Sequence, residues 1–283
     1  MVVCTRGRPE QLRSTLAALE PEAAAGFEIV VVDQSEHPVS GARVTVIADP
    51  GRGLSRGRNV ALRETGTEWI AFVDDDCTVE AGFGRALLDE LVAHPEADWV
   101  SGNVGGGGGA QDGDLPLVTT FRVDRERVLC GRWILPGWIG FGVLFAVRRT
   151  TADRLGGWDE RLGPGVADFP AADDMDFNYR LLRSGGVAVL SPRVRAVHEQ
   201  WRTPEQVVAL QGGYLRAWAG FAMKHVRSGD VAGGSWLWAW GVVDVLDMAK
   251  SALGRRSRMR ARLTGIKLRG LSEGTAMGLR RRW

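Results

Sequence analysis

The sequence predicts a doubly wound α/β domain, with a mostly parallel central sheet flanked by helices, followed by a helical C-terminal region. Two features of the first hundred residues predict this fold: short apolar runs rich in β-branched residues, and helical patterns between them. Strands of a parallel sheet are buried on both faces, so they read as unbroken apolar runs. Apolar residues make up 45% of the 283 residues and charged residues 25%, as in ordinary globular proteins.

The predicted elements alternate along the first third of the chain. Strands are predicted at 2–4, 28–33, 43–48 and 69–73. Helices are predicted from Pro9 onward, at 55–65 and at 81–93. This alternation is typical of strand–helix–strand units, which build parallel sheets.

The second part of the chain has a different residue pattern, with a glycine run and fewer regular strand–helix repeats. Five consecutive glycines at 105–109 predict a surface loop, which is either a linker or a loop near a functional site. Strands are predicted at 142–147, 187–190 and 194–198, and a helix at 173–184 that Gly185 and Gly186 terminate. Beyond residue 206 the pattern is mostly helical.

The cysteine content and the first residues of the chain indicate in which cell compartment the protein is expected. The cysteines, Cys4, Cys77 and Cys130, are odd in number and show no CxxC spacing, which argues against a disulfide framework or a zinc site. A reducing, cytoplasmic location is therefore expected. Residues 1–6 are too short an apolar run for a signal peptide and read as the second half of a strand, so we expect the natural start a few residues earlier.

The charge is distributed unevenly. Residues 251–283 contain ten Lys or Arg and one acid, Glu273, so this tail carries +9 and the rest of the chain −7, against +2 overall. A basic tail of this kind favours binding to anionic lipid, nucleic acid or phosphate groups. The neighbouring stretch 236–243 has three tryptophans but is apolar for only eight residues, too short to span a bilayer. It is either a helix in the membrane interface or a helix packed on the domain or on a second copy.

Three consecutive carboxylates, Asp74, Asp75 and Asp76, end a predicted buried strand. Ligands of open α/β sheets bind beyond the carboxyl ends of the strands. Adjacent acids repel each other unless a cation stabilises them, and Mg²⁺ or Mn²⁺ bind through one or two carboxylates and substrate phosphates. Asp74 and Asp76 are expected to share one face of the extended chain. The alternative is an acidic turn with a helix N-cap.

Two weaker motifs accompany this one. Acids at 173, 174 and 176 open a predicted helix, where the helix dipole favours them, although one could act as a general base. Glycines and arginines at 51–59 precede another predicted helix and favour a diphosphate, without forming a P-loop. Neither motif is specific by itself.

Together and in order, these segments resemble inverting glycosyltransferases of family 2, which have the GT-A fold and use nucleotide sugars. The matching segments are VVCTRGRP at 2–9, IVVVDQS at 29–35, GLSRGRN at 53–59, FVDDD at 72–76, GGWDE at 156–160 and DDMDFNYR at 173–180. The resemblance covers roughly residues 1–200, and six ordered matches are far more specific than any one of them.

The resemblance implies a role for individual residues. It implies donor-binding residues at Thr5, Arg8, Asp33, Arg58, Asp74 and Asp75. It implies a Mn²⁺ or Mg²⁺ site, through the family's DxD motif, at Asp76 and Asp74, with His198 either a further ligand or a structural residue. Asp174 matches the family's general base; Asp173, where the family usually has Glu, and Trp138 would contact the acceptor.

The resemblance also implies an activity and its partners. We expect transfer of a hexose from a nucleoside-diphosphate sugar to a hydroxyl of a glycan, lipid-linked or small-molecule acceptor, with inversion. The catalytic domain is expected at 1–205, with a nucleotide-sugar-binding half at 1–103 and an acceptor-binding half at 104–205. The region 206–283 would contact a membrane surface, at the inner face of the cell membrane, or a second copy of the chain; no nucleic-acid partner is expected.

Two rival functions stay open at this point. A nucleotidyltransferase also uses a Rossmann-like sheet and metal-binding acids, but residues 5–9 contain one glycine and lack the lysine of its Gly-rich loop. A non-catalytic adapter would use the basic tail, which lacks the interleaved aromatic residues expected for base stacking.

Overall fold

The computed structural model describes residues 1–39, 44–107, 111–112, 115–116, 119–255 and 257–283. They form two compact units, Met1–Asp159 with Asp174–Trp201, and Glu160–Asp173 with Arg202–Trp283. The boundaries after residues 103 and 205 that the sequence suggests remain predictions.

The first unit contains the sheet. Its strands within the described residues are β1 Val2–Thr5, β2 Val30–Asp33, β3 Thr45–Ala48, β4 Trp69–Val73, β5 Cys77–Val79, β6 Trp99–Gly106, β7 Gln111–Asp112, β8 Leu115–Pro116, β9 Arg127–Leu129, β10 Leu144–Arg148 and β11 Ala188–His198. The helices are α1 Pro9–Ala24, α2 Leu54–Glu64, α3 Phe83–Ala93, α4 Arg149–Arg154 and α5 Asp173–Arg183, whose first residue is assigned to the second unit. A short 3₁₀ turn, Pro136–Ile139, precedes β10.

The strand order is β3-β2-β1-β4-β10-β6-β11-β5, with β9 paired to β11, while β7 and β8 form a separate antiparallel pair. The first four strands in this order are parallel, and β10 runs antiparallel to both β4 and β6. Thr5 lies opposite Asp33 in the β1–β2 register. The carboxyl ends of β1, β2 and β4 therefore meet at one edge of the sheet, as the predicted α/β fold requires.

The two faces of the sheet bury alternate residues of the same strands. Val3, Val31 and Val73 belong to one apolar cluster, whereas Val2 and Phe72 belong to the other. This alternation follows from the two-residue period of a strand, and it confirms that both faces are covered. In the second cluster, the Trp99 ring stacks on Phe145 at 4.1 Å.

Two local predictions differ from the structure. The strands predicted at 187–190 and 194–198 are one strand, β11, because both parts pair with β6 and only the register shifts, between Ser191 and Arg195. The predicted glycine loop begins later than expected, because Gly105 and Gly106 still pair in β6. Gly108 and Gly109 lie outside the described residues.

The second unit is helical, with α6 Pro204–Arg227, α7 Val231–Gly254 and α8 Arg258–Arg280. Gly270, Gly274 and Gly278 are four residues apart and share one face of α8. A Cβ atom on Gly270 would lie 2.2 Å from the Gly212 carbonyl oxygen, and one on Gly274 would lie 2.1 Å from that of Arg216. The backbones of α8 and α6 are therefore in direct contact.

The segment Glu160–Asp173 belongs to the same unit. The Phe169 ring stacks on Trp283 at 5.3 Å, and Arg281 forms an ion pair with Asp168. Among the described residues, no helix is both long and apolar enough to cross a membrane.

Candidate active site

The three acids occupy the turn between β4 and β5. The Asp74 N–H donates to the Val143 carbonyl at 3.1 Å, and the Cys77 N–H donates to the Asp74 carbonyl at 3.1 Å. These bonds hold the turn at the carboxyl end of β4, where β1 also delivers Thr5. The acids therefore lie where the sequence predicts a ligand site.

Asp75 points into the protein and is fully buried. The Thr5 hydroxyl donates to its Oδ2 at 2.6 Å, and Arg8 Nη2 lies 2.6 Å from its Oδ1. Burial raises the pKa of Asp75 to about 6, against the lowering effects of the Arg8 charge and the Thr5 hydrogen bond. Asp75 thus anchors Thr5 and Arg8 beneath the turn.

Asp76 is buried and has three partners. Arg8 Nη1 donates to its Oδ2 at 3.0 Å, Trp201 Nε1 donates to the same oxygen at 2.8 Å, and His198 Nε2 lies 3.3 Å from Oδ1. Burial alone would raise the pKa of Asp76. The hydrogen bond and charge of His198, with those of Arg8 and Trp201, outweigh burial and hold the pKa well below its usual range. Asp76 is therefore ionised.

Asp74 is the most accessible of the three, with 25% of its side chain exposed. Arg58 Nη2 lies 3.6 Å from its Oδ1. Loss of hydration raises the pKa of Asp74 to about 7; Arg58 lowers it and the neighbouring Asp76 charge raises it. An arriving cation would favour the ionised form, so Asp74 is suited to respond to a ligand.

Gly142 joins Arg58 and Asp174. Arg58 is buried, lies 5.3 Å from the Phe145 ring, and donates through Nη2 to the Gly142 carbonyl at 2.6 Å. The Gly142 N–H donates to Asp174 Oδ2 at 2.8 Å, and the Met175 N–H donates to Asp174 Oδ1 at 2.8 Å. The backbone of Gly142 and Val143 thus links the predicted base to the acidic turn, because the Val143 carbonyl accepts from the Asp74 N–H.

His198, at the end of β11, has each ring nitrogen next to a different partner. Nδ1 lies 3.0 Å from the Thr119 carbonyl, and Nε2 faces Asp76. The Asp76 carboxylate favours a proton on Nε2, so Nε2 can bind a metal only when that proton has left. Burial lowers the pKa of His198, but Asp76 more than compensates, so the pKa is raised.

Asp76, Cys77 and His198 offer ligand atoms close enough together to share one metal ion. Burial raises the pKa of the Cys77 thiol well above its usual range, so Cys77 stays protonated and is a poor ligand. The carboxylate of Asp76, with the accessible Asp74 beside it, is the oxygen-rich donor set that Mn²⁺ and Mg²⁺ prefer. These residues fit a hard divalent cation.

The remaining predicted residues are Asp33, Trp138 and Asp173, of which Asp33 lies opposite Thr5 in the β1–β2 register. Asp33 is buried at the end of β2, and its two oxygens accept from the N–H groups of Ser35 and Val39, so it holds the following loop. Trp138 is 56% exposed on the 3₁₀ turn. Asp173 is a buried residue of the second unit, close to Gly163. Their roles toward donor and acceptor remain predictions.

Sequence reasoning missed two residues of the site, Trp201 and Gly142. Trp201 donates to Asp76 across 125 positions of sequence and also lies 5.4 Å from the Arg8 guanidinium. The only sequence signal for Trp201 is a tryptophan three residues after a strand-terminal histidine. Gly142 acts through its backbone, which no side-chain motif reveals.

Residues 1–141 match the family model described as glycosyl transferase family 2. This part of the chain belongs to glycosyltransferase family 2. The match spans β1, β2 and the acidic turn, so it includes all six predicted donor-binding residues. No curated protein sequence matches the chain.

Solved glycosyltransferases share the fold. The mannosyltransferase PcManGT from Pyrobaculum calidifontis, in complex with GDP-Man and Mn²⁺, is 16% identical, with a TM-score of 0.61 over 99% of this chain and 86% of that one. S. aureus TarS 1–349 in complex with UDP-GlcNAc is 12% identical, with a TM-score of 0.58 over 94% of this chain and 89% of that one. These similarities confirm the predicted GT-A fold. Family and fold together support a glycosyltransferase over the nucleotidyltransferase and the adapter.

Proposed function

We propose that this glycosyltransferase moves a sugar from a nucleoside-diphosphate sugar to an acceptor hydroxyl, with inversion, and depends on a divalent metal ion. One observation carries the proposal. The Gly142–Val143 backbone is hydrogen-bonded to both Asp174 and Asp74, so base and metal-binding turn are held in fixed relation. Reacting groups fixed in this way avoid the entropic cost of assembling them in the transition state.

The donor is proposed to bind at the carboxyl ends of β1, β2 and β4, near Thr5, Arg8 and Asp33. Two solved neighbours are complexes with GDP-Man and with UDP-GlcNAc, which supports a nucleotide sugar as donor. Arg8 pairs with Asp75 and Asp76 and has 31% of its side chain exposed, so its guanidinium can also contact a phosphate.

The metal, Mn²⁺ or Mg²⁺, would be held by Asp76 and Asp74, with His198 Nε2 as a further candidate ligand. Mn²⁺ is present in the PcManGT complex, which supports this choice. A bound divalent ion would offset the negative charge that develops on the departing diphosphate.

The acceptor hydroxyl is proposed to lose its proton to Asp174. Hydrogen bonds from the N–H groups of Gly142 and Met175 orient the Asp174 carboxylate. The acceptor oxygen forms a bond to the anomeric carbon while the bond from that carbon to the diphosphate breaks, and the proton goes to Asp174. Attack from the face opposite the diphosphate inverts the anomeric configuration, through a transition state with oxocarbenium character.

The acceptor is proposed to be a glycan, a lipid-linked saccharide or a small molecule, with Trp138 as a contact. The exposed apolar residues Trp240, Val243 and Leu246 on α7, together with the basic tail, support contact with the inner face of a membrane or with a second copy of the chain.

The test is transfer from GDP-Man and UDP-GlcNAc to an acceptor panel, with the products examined by NMR. We expect release of a nucleoside diphosphate, an inverted anomeric linkage, and activity that chelation abolishes and Mn²⁺ restores. Release of pyrophosphate, or retention of configuration, would contradict the proposal.

Trp201→Phe tests the metal site separately. The phenyl ring keeps an aromatic surface near Arg8 but removes the Nε1 donor to Asp76. Loss of a hydrogen bond to a metal ligand typically weakens metal binding by about 10–100-fold. We expect the Mn²⁺ concentration for half-maximal activity to rise by that factor, with the rate at saturating Mn²⁺ largely kept. The control is Trp240→Phe on α7, and an unchanged Mn²⁺ requirement in Trp201→Phe would contradict the assignment of Asp76.

A further inference from the structure

A second cluster of ligating side chains lies at the C-terminal end of α3. Glu90 and His94 are one helical turn apart, so their side chains share a face, and Glu126 comes from the segment before β9. Glu90 accepts a hydrogen bond from Ser191 of β11. His198, next to the acidic turn, ends the same strand seven residues later. At about 3.3 Å per residue, roughly 20 Å separate this cluster from the acidic turn.

The ligand atoms are spaced for one small cation. His94 Nε2 lies 3.1 Å from Glu126 Oε1 and 3.9 Å from Glu90 Oε2. In a tetrahedral site with bonds of about 2.0–2.1 Å, neighbouring ligand atoms are roughly 3.3 Å apart. All three ligand atoms lie within 4.8 Å of one another, so a shift of the half-exposed Glu126 side chain would bring them within bonding distance of one ion.

Glu90 has an oxygen without a hydrogen-bond partner. The side chain is fully buried, and its Oε1 accepts from the Ser191 hydroxyl at 2.5 Å and from Arg193 Nη2 at 2.7 Å. Its Oε2, on the side of His94, is buried with no hydrogen-bond partner among the described residues. A buried carboxylate oxygen without a hydrogen-bond partner is costly, and a cation closer to it than His94 Nε2, at 3.9 Å, would reduce the cost.

The surroundings also orient the ligands. His94 Nδ1 lies 3.3 Å from Glu96 Oε1 and Nε2 lies 3.1 Å from Glu126 Oε1, so a metal ion at Nε2 would replace the proton that Glu126 favours there, while Glu96 keeps the proton on Nδ1. A carboxylate on the second nitrogen of a metal-binding histidine is the usual arrangement in zinc proteins. Ser191 and Arg193 fix the Glu90 carboxylate in the same way.

We propose that Glu90, His94 and Glu126 bind a divalent transition-metal ion of the Zn²⁺ class, at a structural site separate from sugar transfer. Zn²⁺ accepts both imidazole nitrogen and carboxylate oxygen as ligands, and water would complete the fourth position. The ion would tie the end of α3 to the segment before β9. The site uses no cysteine, so the cysteine spacing does not reveal it.

The test is a Zn²⁺ titration of the chelator-stripped full chain, followed by elemental analysis and thermal unfolding. Because the acidic turn is also proposed to bind a cation, the comparison is between variants. We expect His94→Gln and Glu126→Ala to bind about one Zn²⁺ equivalent fewer than wild type, and to lose the zinc-dependent rise in Tm. Glu96→Gln should weaken the affinity for this one Zn²⁺ ion by about 10–100-fold.

His37→Gln, at an exposed histidine, is the matched control and should behave as wild type. Glu126 is half-exposed, so its replacement tests the site even if His94→Gln fails to fold. Equal zinc uptake by wild type and Glu126→Ala would overturn the proposal and would assign the cluster to ion pairs of a protonated His94.

Discussion

Replacing Asp174 by asparagine should slow sugar transfer by about 10²–10⁴-fold, the usual contribution of a general base. Asparagine has nearly the same shape, but its amide cannot accept a proton from the acceptor hydroxyl. Its single carbonyl oxygen can replace only one of the two acceptors that the N–H groups of Gly142 and Met175 use. Donor binding should stay near wild type, because none of the described contacts of Asp174 involves the acidic turn directly.

The measurement is the turnover rate at saturating donor and Mn²⁺, beside the dissociation constant of the nucleoside diphosphate. Asp153→Asn, at an exposed carboxylate on α4, is the matched control. Near-wild-type turnover of Asp174→Asn would show that another group takes the proton. A parallel loss of nucleotide affinity would instead indicate a role in the donor site.

Gly274→Ala should destabilise the helices of the second unit. The new Cβ would lie 2.1 Å from the Arg216 carbonyl oxygen and 2.8 Å from the Arg216 carbonyl carbon, and both are backbone atoms that cannot rotate away. The two helices must separate, and overpacking of this kind typically costs about 1–3 kcal/mol, occasionally more. A loss of that size lowers Tm by several degrees in a chain of this length.

Gly265→Ala on the same helix is a sharp control, since its Cβ would meet no atom within 4 Å. Alanine favours a helix over glycine by about 1 kcal/mol, so this variant should be slightly more stable than wild type. Thermal unfolding followed by circular dichroism compares the two. If both variants have the same Tm, the close contact between α8 and α6 is wrong.

The sequence predicts the donor-side strands closely, because a continuous apolar run has few alternatives. The strand at 69–73 is found as β4 Trp69–Val73, and the helix predicted at 81–93 is found as α3 Phe83–Ala93. The antiparallel direction of β10 was not predicted. A strand buried on both faces has the same apolar pattern in either direction, so only its neighbours reveal the direction.

Some residues of the candidate site could likewise be predicted from the sequence, and others could not. The acids at 74–76 stand out because three consecutive carboxylates end a buried strand, whereas Asp174 was singled out only through the resemblance to family 2. Gly142 and Trp201 do not stand out, because one contributes backbone groups and the other an indole N–H from a distant part of the chain. Long-range contacts of this kind depend on how the sheet is assembled, and a local pattern does not contain that information.

The acidic turn carries its own counterions. Arg8 pairs with Asp75 and Asp76, and Arg58 lies beneath Asp74, so much of the turn's negative charge is balanced by residues of the chain itself. Folding of this edge of the sheet therefore does not require a bound metal ion. Removal of any cation from the acidic turn by a chelator should therefore leave this edge of the sheet folded, since Arg8 and Arg58 remain to balance the carboxylates.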